Sequence, residues 1–147
     1  MKKKLGLFCI ILISIFITTG CSSSKFYVFN VDTGDAVKLK LDTSNGYDIS
    51  NDLPFVISQN EETLCQGTFI YSSGYDQYID VIKNDQKAEI VETNSINGIT
   101  YTFYTYNNEE FNYVIKIDNS NTGVLIGNII SEKSARECFD RLTITVE

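Results

Sequence analysis

The 147-residue chain contains no histidine and no tryptophan, and it has only one proline, one methionine and three alanines. Without histidine, Ser-His-Asp and Cys-His catalysis are excluded, and the imidazole ligand of most zinc sites is missing. The scarcity of alanine beside many β-branched and aromatic residues favours strands over helices. A composition of 43% hydrophobic and 21% charged residues is typical of one globular domain and excludes a disordered chain.

Residues 1–20 have the layout of an export signal. Three lysines, Lys2 to Lys4, precede the thirteen-residue run from Leu5 to Ile17, in which Ser14 is the only polar residue. Thirteen helical residues reach about 20 Å, which is short of a hydrocarbon core of about 30 Å. A permanent membrane-spanning helix is therefore the weaker interpretation.

The segment Thr18-Thr19-Gly20-Cys21 follows this run and resembles the lipobox of bacterial lipoproteins. The resemblance implies that Cys21 receives a diacylglyceryl group and a fatty acyl chain and becomes the mature N-terminus. Two acyl chains on one residue hold a protein stably on a membrane. The alternative is an ordinary secretory signal with an accidental cysteine. We predict a signal peptide over 1–20, a lipidated cysteine and Ser-rich tether over 21–25, and one extracytoplasmic domain over 26–147.

Removal of residues 1–20 leaves nine basic residues against nineteen acidic ones, a net charge of −10. This balance argues against a nucleic-acid partner and against a domain that lies flat on an anionic leaflet. We expect a soluble head that the tether holds off the membrane surface. Nineteen isoleucines and thirteen asparagines against three alanines suggest A/T-rich coding. Together with the lipobox, this composition indicates a low-G+C Gram-positive bacterium.

The mature domain has the pattern of an antiparallel sheet. Its clearest part is a three-stranded meander over 98–106, 111–118 and 123–130, with polar turns between the strands. In the middle strand, apolar residues alternate with mostly polar ones, which gives the strand one apolar face. The residues of that face are Phe111, Tyr113, Ile115 and Ile117. Further strands are predicted at 37–41, 54–58, 62–71, 88–93 and 142–146.

Apolar residues recur at helical spacing in two other segments. The first predicts a short helix over 75–84, and the second a C-terminal helix that Ser131 can cap. The second helix presents Ala135, Cys138, Phe139 and Leu142. We therefore predict an α+β fold, an antiparallel meander with the C-terminal helix packed across it and one short internal helix. The order of the predicted strands and helices over residues 37–146 resembles the PsbP-like fold of small bacterial lipoproteins. This resemblance implies an accessory role without catalytic residues.

Asp32-Thr33-Gly34 resembles the Asp-Thr-Gly of aspartic peptidases. In single-domain members of that family, one aspartate from each of two subunits shares a proton with the other. Asp35 departs from the family pattern, which has Ala or Ser at this position. A turn between two strands explains the same residues equally well.

The segment from Asp118 to Gly123 has the oxygen density of a calcium loop. It fails the EF-hand pattern because Ile129 stands where a glutamate is required, so we expect a hairpin turn. We predict no metal site and no cofactor other than the lipid on Cys21.

Six aromatic residues are concentrated on one predicted hairpin: Tyr101, Phe103, Tyr104, Tyr106, Phe111 and Tyr113. An exposed row of such rings could bind a glycan or a peptide. Alternatively, the rings serve as cross-strand partners within the sheet.

Cys65 and Cys138 are the cysteines that remain after Cys21 is acylated. Both fall on apolar faces and are expected to point inward. Outside the cytoplasm they can form a disulfide, and two buried free thiols are the alternative.

These features together predict a lipid-anchored, extracytoplasmic module that binds an envelope protein or glycan and is not an enzyme. A carboxylate-dependent enzyme built on Asp32 is the alternative function.

Overall fold

A computed structural model describes residues 23–147. Over these residues the chain folds as the α+β domain that the sequence predicts, with two antiparallel sheets and two α-helices. The strands are β1 (Ser24–Asn30), β2 (Ala36–Asp42), β3 (Tyr47–Ile49), β4 (Phe55–Gln59), β5 (Glu62–Tyr71), β6 (Ala88–Ile96), β7 (Ile99–Tyr106), β8 (Glu110–Ile117), β9 (Thr122–Asn128) and β10 (Leu142–Val146). The helices are α1 (Tyr75–Asn84) and α2 (Glu132–Asp140).

The larger sheet has seven strands in the order β3-β4-β5-β9-β8-β7-β6. Its strands β7, β8 and β9 are the predicted meander, which is confirmed. The third strand ends at Asn128 rather than at the predicted Ile130. The cause is the Asn128 side chain, whose Oδ1 accepts hydrogen bonds from the backbone N–H groups of Ile130 and Ser131 and turns the chain towards α2.

The smaller sheet has three strands in the order β1-β2-β10. The sequence predicts β2 and β10 but not β1, and it assigns Ser24 and Lys25 to the tether. That boundary is corrected here, because Lys25 pairs with Leu41 in the β1–β2 ladder and its ammonium lies 2.7 Å from Asp48. The folded domain therefore begins two residues earlier than predicted.

The main core lies between the two sheets. The smaller sheet contributes Phe29, Val37, Leu39, Leu41 and Ile144, which are all buried. The larger sheet contributes a broader apolar face that includes Phe55, Ile57, Phe103, Ile115 and Val124. Every member of this core and of the residues packed against it lies between Tyr27 and Ile144, so a protein that begins at Ser22 keeps all of these contacts.

Helix α2 packs on the same side of the larger sheet as the smaller sheet does. Its N-terminus is capped as predicted, because Ser131 Oγ accepts a hydrogen bond from the N–H of Ser134. Ala135 and Cys138 are buried and Phe139 is half-buried against the core. The helix crosses β5, β9 and β8, which confirms the predicted packing. Leu142 belongs to β10, because the helix ends before it.

Helix α1 occupies the predicted residues and packs on the opposite face of the larger sheet. Tyr75 and Ile82 are buried there against Val114 of β8. Val114 lies on the strand face that alternation marks as largely polar, and it is buried because α1 covers it. Within the described part of the chain, neither helix is long and apolar enough to cross a membrane.

Candidate functional site

Cys21, the predicted site of lipidation, lies outside the described residues. Asp32, the candidate catalytic carboxylate, lies in the turn between β1 and β2 and is exposed to solvent. The turn is closed by a hydrogen bond from Gly34 N–H to the Val31 carbonyl. A second hydrogen bond joins the turn to β5, because the Tyr71 hydroxyl donates to the Asp32 carbonyl at 3.2 Å. Asp32 therefore lies in a turn between two strands, as the alternative interpretation of Asp32-Thr33-Gly34 expects.

Asp35, not Asp32, is the carboxylate that makes specific contacts in this turn. Its Oδ2 accepts hydrogen bonds from Ser120 Oγ at 2.6 Å, Thr122 Oγ1 at 2.8 Å and Asn121 N–H at 3.0 Å. The hydroxyl donors Ser120 and Thr122, followed by the Asn121 N–H, lower the pKa of the Asp35 carboxyl below its ordinary value. Asp35 therefore connects the β1–β2 turn to the β8–β9 turn, a structural role.

The segment from Asp118 to Gly123 forms the β8–β9 turn and the start of β9, as predicted. Its hydroxyl groups donate to Asp35 instead of converging on a cation position. Across residues 23–147, no group of three acidic or cysteine side chains is arranged to hold a metal ion.

The aromatic hairpin does not present an exposed row of rings. Tyr101, Phe103 and Tyr113 are buried between the larger sheet and α2. The Arg136 guanidinium lies 4.5 Å from the Phe103 ring centroid and 2.9 Å from Glu92, and so closes this cluster from the solvent side. The interpretation of these rings as a binding row is therefore wrong for these three residues, because α2 packs on the face that they share.

Cys65 and Cys138 are buried as expected, and both are free thiols in the structure. The interaction between the two side chains lowers the pKa of the Cys65 thiol and, together with burial, raises the pKa of the Cys138 thiol. Asn128 Nδ2 also donates to Cys65 Sγ at 3.4 Å. Cys65 is thus the sulfur that more readily carries negative charge.

A groove on the uncovered part of the larger sheet is the best candidate for a binding site. Helix α1 has only ten residues and covers one end of this face, so the other end stays open. The opening is a cavity of about 400 Å³, bounded by Tyr78 of α1 and by Pro54 before β4. Its floor is formed by side chains from four neighbouring strands.

The register of these strands places Gln66, Gly127, Asn112 and Tyr104 side by side in one line across the sheet. We call this line the polar row. Adjacent strands are about 4.8 Å apart, so the backbones of Gln66 and Asn112 stand about 10 Å apart with the glycine between them. The row offers carboxamide donors and acceptors together with a phenol.

Gly127 lets the Asn112 side chain lie over the centre of the polar row. A Cβ atom at this position would lie 3.1 Å from Asn112 Oδ1, closer than most side-chain contacts allow. The missing side chain therefore leaves room for the Asn112 amide on the floor of the groove.

The lining of the groove contains no charged residue, since its only ionisable side chains are the phenols of Tyr78, Tyr104 and Tyr113. Burial, with further contributions from Glu110 and Tyr78, raises the pKa of the Tyr104 phenol. Tyr104 is therefore a neutral hydroxyl group at all physiological pH values. A second cavity of about 400 Å³ shares Gln66, Asn112 and Gly127 with the groove and extends it towards Glu110 and Ile129.

Comparison with protein-family models, with curated proteins and with solved structures found no match to this chain. Sequence reasoning identified Tyr104 but missed Gln66 and Asn112. No motif marks these amides, because they become neighbours only through the register of β5, β9 and β8. The one available signal was Gly127, a glycine inside a strand, which often marks a close approach to a ligand or another group.

Proposed function

We propose that this chain is a lipid-anchored, extracytoplasmic binding module on the cell membrane of a Gram-positive bacterium, and that its groove binds an uncharged glycan of the envelope. The lipobox residues that end at Cys21 support the anchor. The polar row supports the glycan, because sugar hydroxyl and acetamido groups pair with neutral amides and phenols. The absence of a side chain at Gly127 leaves room for the Asn112 amide on the floor of the groove, where it can pair with such groups.

The main support for a glycan ligand is that the side chains lining the groove are uncharged. A phosphate, a nucleic acid or an acidic peptide needs a lysine or arginine partner, and the groove has none among its lining residues. Glu110, at the edge of the connected cavity, further disfavours anions. Neutral polar ligands remain, and envelope glycans are abundant outside the cell membrane.

A binding role is favoured over catalysis by the surroundings of the carboxylates. A shared-proton aspartate dyad needs a site shielded from water. Asp32 is exposed, and Asp35 is occupied by three hydrogen-bond donors from the β8–β9 turn. The carboxylate-dependent enzyme is therefore the less favoured alternative.

The anchor is tested by changing Cys21→Ala in the full chain and following lipid labelling and precursor size. Labelling should disappear and the precursor should remain uncleaved. Cys9→Ala is the matched control, because Cys9 lies within the apolar run of the signal and should leave processing unchanged. Normal maturation of the Cys21→Ala protein would contradict the lipoprotein assignment.

The groove is tested by calorimetric titration with chitotetraose, an uncharged oligomer of N-acetylglucosamine. Asn112→Ala and Gln66→Ala should each weaken binding about fivefold, since one lost hydrogen bond costs about 1 kcal/mol. Gln86→Ala is the control for Gln66→Ala, because Gln86 is exposed in the loop after α1. Tetragalacturonate, an anionic glycan of equal length, should bind more weakly than chitotetraose. Equal affinities of all three variants would contradict a ligand in the groove.

A further inference from the structure

The smaller sheet has one face that no described element covers. Its core-facing side chains alternate with a second set on strands β1 and β2, which we call the outer face: Phe26, Val28, Lys38 and Lys40. Phe26 is 54% exposed and Val28 is 41% exposed, so two large apolar side chains of one strand meet solvent. These two side chains form a small exposed apolar strip on this face.

Lysines stand beside these apolar residues. The β1–β2 register pairs Phe26 with Lys40 and Val28 with Lys38. The Lys38 ammonium lies 4.5 Å from the Phe26 ring centroid and also contacts Glu147 at 3.0 Å. Lys40 makes no ion pair with any residue in the described part of the chain. The outer face therefore combines apolar and cationic groups within a strongly acidic domain.

Acidic residues stand at the two ends of this face and not at its centre. Asp42, at one end, accepts a hydrogen bond from Ser44 N–H and lies 3.5 Å from Arg141. Glu147, at the other end, is the partner of Lys38. Because both carboxylates have cationic neighbours, they do not cancel the charge of Lys40.

The chain enters this sheet very close to the proposed anchor. Strand β1 begins at Ser24, three residues after Cys21. Three residues span at most about 11 Å, and Phe26 lies about 7 Å further along the same strand. A lipid on Cys21 therefore keeps Phe26 within about 18 Å of the anchored residue, which is close enough for the outer face to reach the lipid headgroups.

We propose that the outer face of the smaller sheet rests on the anionic leaflet that holds Cys21, with Phe26 and Val28 at the acyl boundary and Lys38 and Lys40 at the lipid phosphates. This inference rests on the lipid anchor proposed above. The contact can be intrinsically weak, because a short tether supplies a high effective concentration. Each basic residue near an anionic surface strengthens membrane binding about fivefold.

This arrangement revises the expectation that net charge holds the whole head away from the membrane. Net charge is an average over the domain, whereas the contact involves only one of its faces. The polar row and α1 lie on the other side of the larger sheet, so a membrane-resting smaller sheet would turn the groove towards the envelope. The two proposals are thus geometrically compatible.

The chain has no tryptophan, so a single introduced tryptophan reports on one position. The full lipidated chain carrying Phe26→Trp is reconstituted in vesicles of equal parts phosphatidylglycerol and phosphatidylcholine, with or without brominated acyl chains. Bromine should quench its fluorescence severalfold more than that of the Val81→Trp protein. Val81 is the matched control, because it is 67% exposed on α1, on the far side of the larger sheet.

Flotation of the same vesicles separates the two proposals. A protein that floats but shows no preferential quenching of Phe26→Trp would overturn the membrane-resting face and leave the anchor intact. A protein that does not float would overturn the anchor and this inference together. Lys38→Gln with Lys40→Gln should abolish any excess quenching in phosphatidylglycerol over pure phosphatidylcholine vesicles, and an undiminished excess would contradict the role of the lysines.

Discussion

Phe139 of α2 lies parallel to Tyr113 of β8, with ring centroids 4.2 Å apart and ring planes 4° apart. This contact, together with Tyr101 at 4.6 Å, joins the C-terminal helix to the meander. Phe139→Ala should lower the free energy of unfolding by about 3 kcal/mol, because burial and ring contacts are lost and a cavity remains. Denaturant melts of the protein that begins at Ser22 measure this change.

Asp32→Asn is the comparison for that variant. Asp32 is exposed in its turn and contributes only its backbone carbonyl to a described contact, so the free energy of unfolding should change by less than about 0.5 kcal/mol. A near-neutral Phe139→Ala would show that α2 is not docked as described.

The buried thiols lead to a second prediction. Protein recovered from outside the cytoplasm should contain a Cys65–Cys138 disulfide, because both cysteines are buried in the same core and each shifts the pKa of the other. Its intact mass should be lower by two hydrogens, and reduction should lower its melting temperature. The bridge would close a loop of about 74 residues, for which chain entropy gives about 4 kcal/mol. Alkylation of two thiols in unfolded, unreduced protein would exclude the bridge.

A third prediction concerns acid pH and Asp35. The hydrogen bonds from Ser120 and Thr122 lower the pKa of Asp35 below its ordinary 3.8. Because the folded-state pKa is the lower one, this carboxylate stabilises the fold above pH 3.8 and loses that effect as pH falls through the folded-state pKa. Asp35→Asn should be less stable near neutral pH and should lose less stability on acidification. Parallel curves of melting temperature against pH for the two proteins would contradict this account.

A fourth prediction concerns the centre of the groove. Gly127→Ala should weaken binding of chitotetraose, because the added methyl group displaces the Asn112 amide. Gly98→Ala is not a suitable control, since Gly98 has a positive φ of 80°. Glu89→Ala, an exposed change on β6 outside both cavities, controls for a general effect on the sheet. Equal loss of binding in both variants would indicate a non-local effect.

Local patterns were sufficient for the elements with clear periodicity. Tyr75 and Ile82 predicted α1 to its observed ends, and the Ser131 cap predicted the start of α2. Alternation in β8 predicted its core face. It did not predict that Val114 is buried as well, because that depends on α1, which lies about thirty residues earlier in the sequence.

Local sequence patterns do not predict which strands pair when those strands are far apart in the sequence. Strand β1 contains a strand-forming run from Phe26 to Phe29, but its first residues and its place in the smaller sheet are defined only by its ladder with β2. The smaller sheet is completed by β10 from the other end of the sequence. The polar row has the same origin. Gln66 and Asn112 are unremarkable in sequence, and only the shared neighbour Gly127 brings them to one groove.

The most direct test of the central claim is a titration of the isotope-labelled domain, from Ser22 onward, with chitotetraose, followed by amide and side-chain resonances in nuclear magnetic resonance spectra. The account predicts that the carboxamide signals of Gln66 and Asn112 and the backbone amide of Gly127 shift in a saturable manner. Residues of the β1–β2 turn, including Asp32, should not shift. Saturable shifts confined to that turn, or no shifts at millimolar chitotetraose, would contradict a glycan-binding groove on the larger sheet.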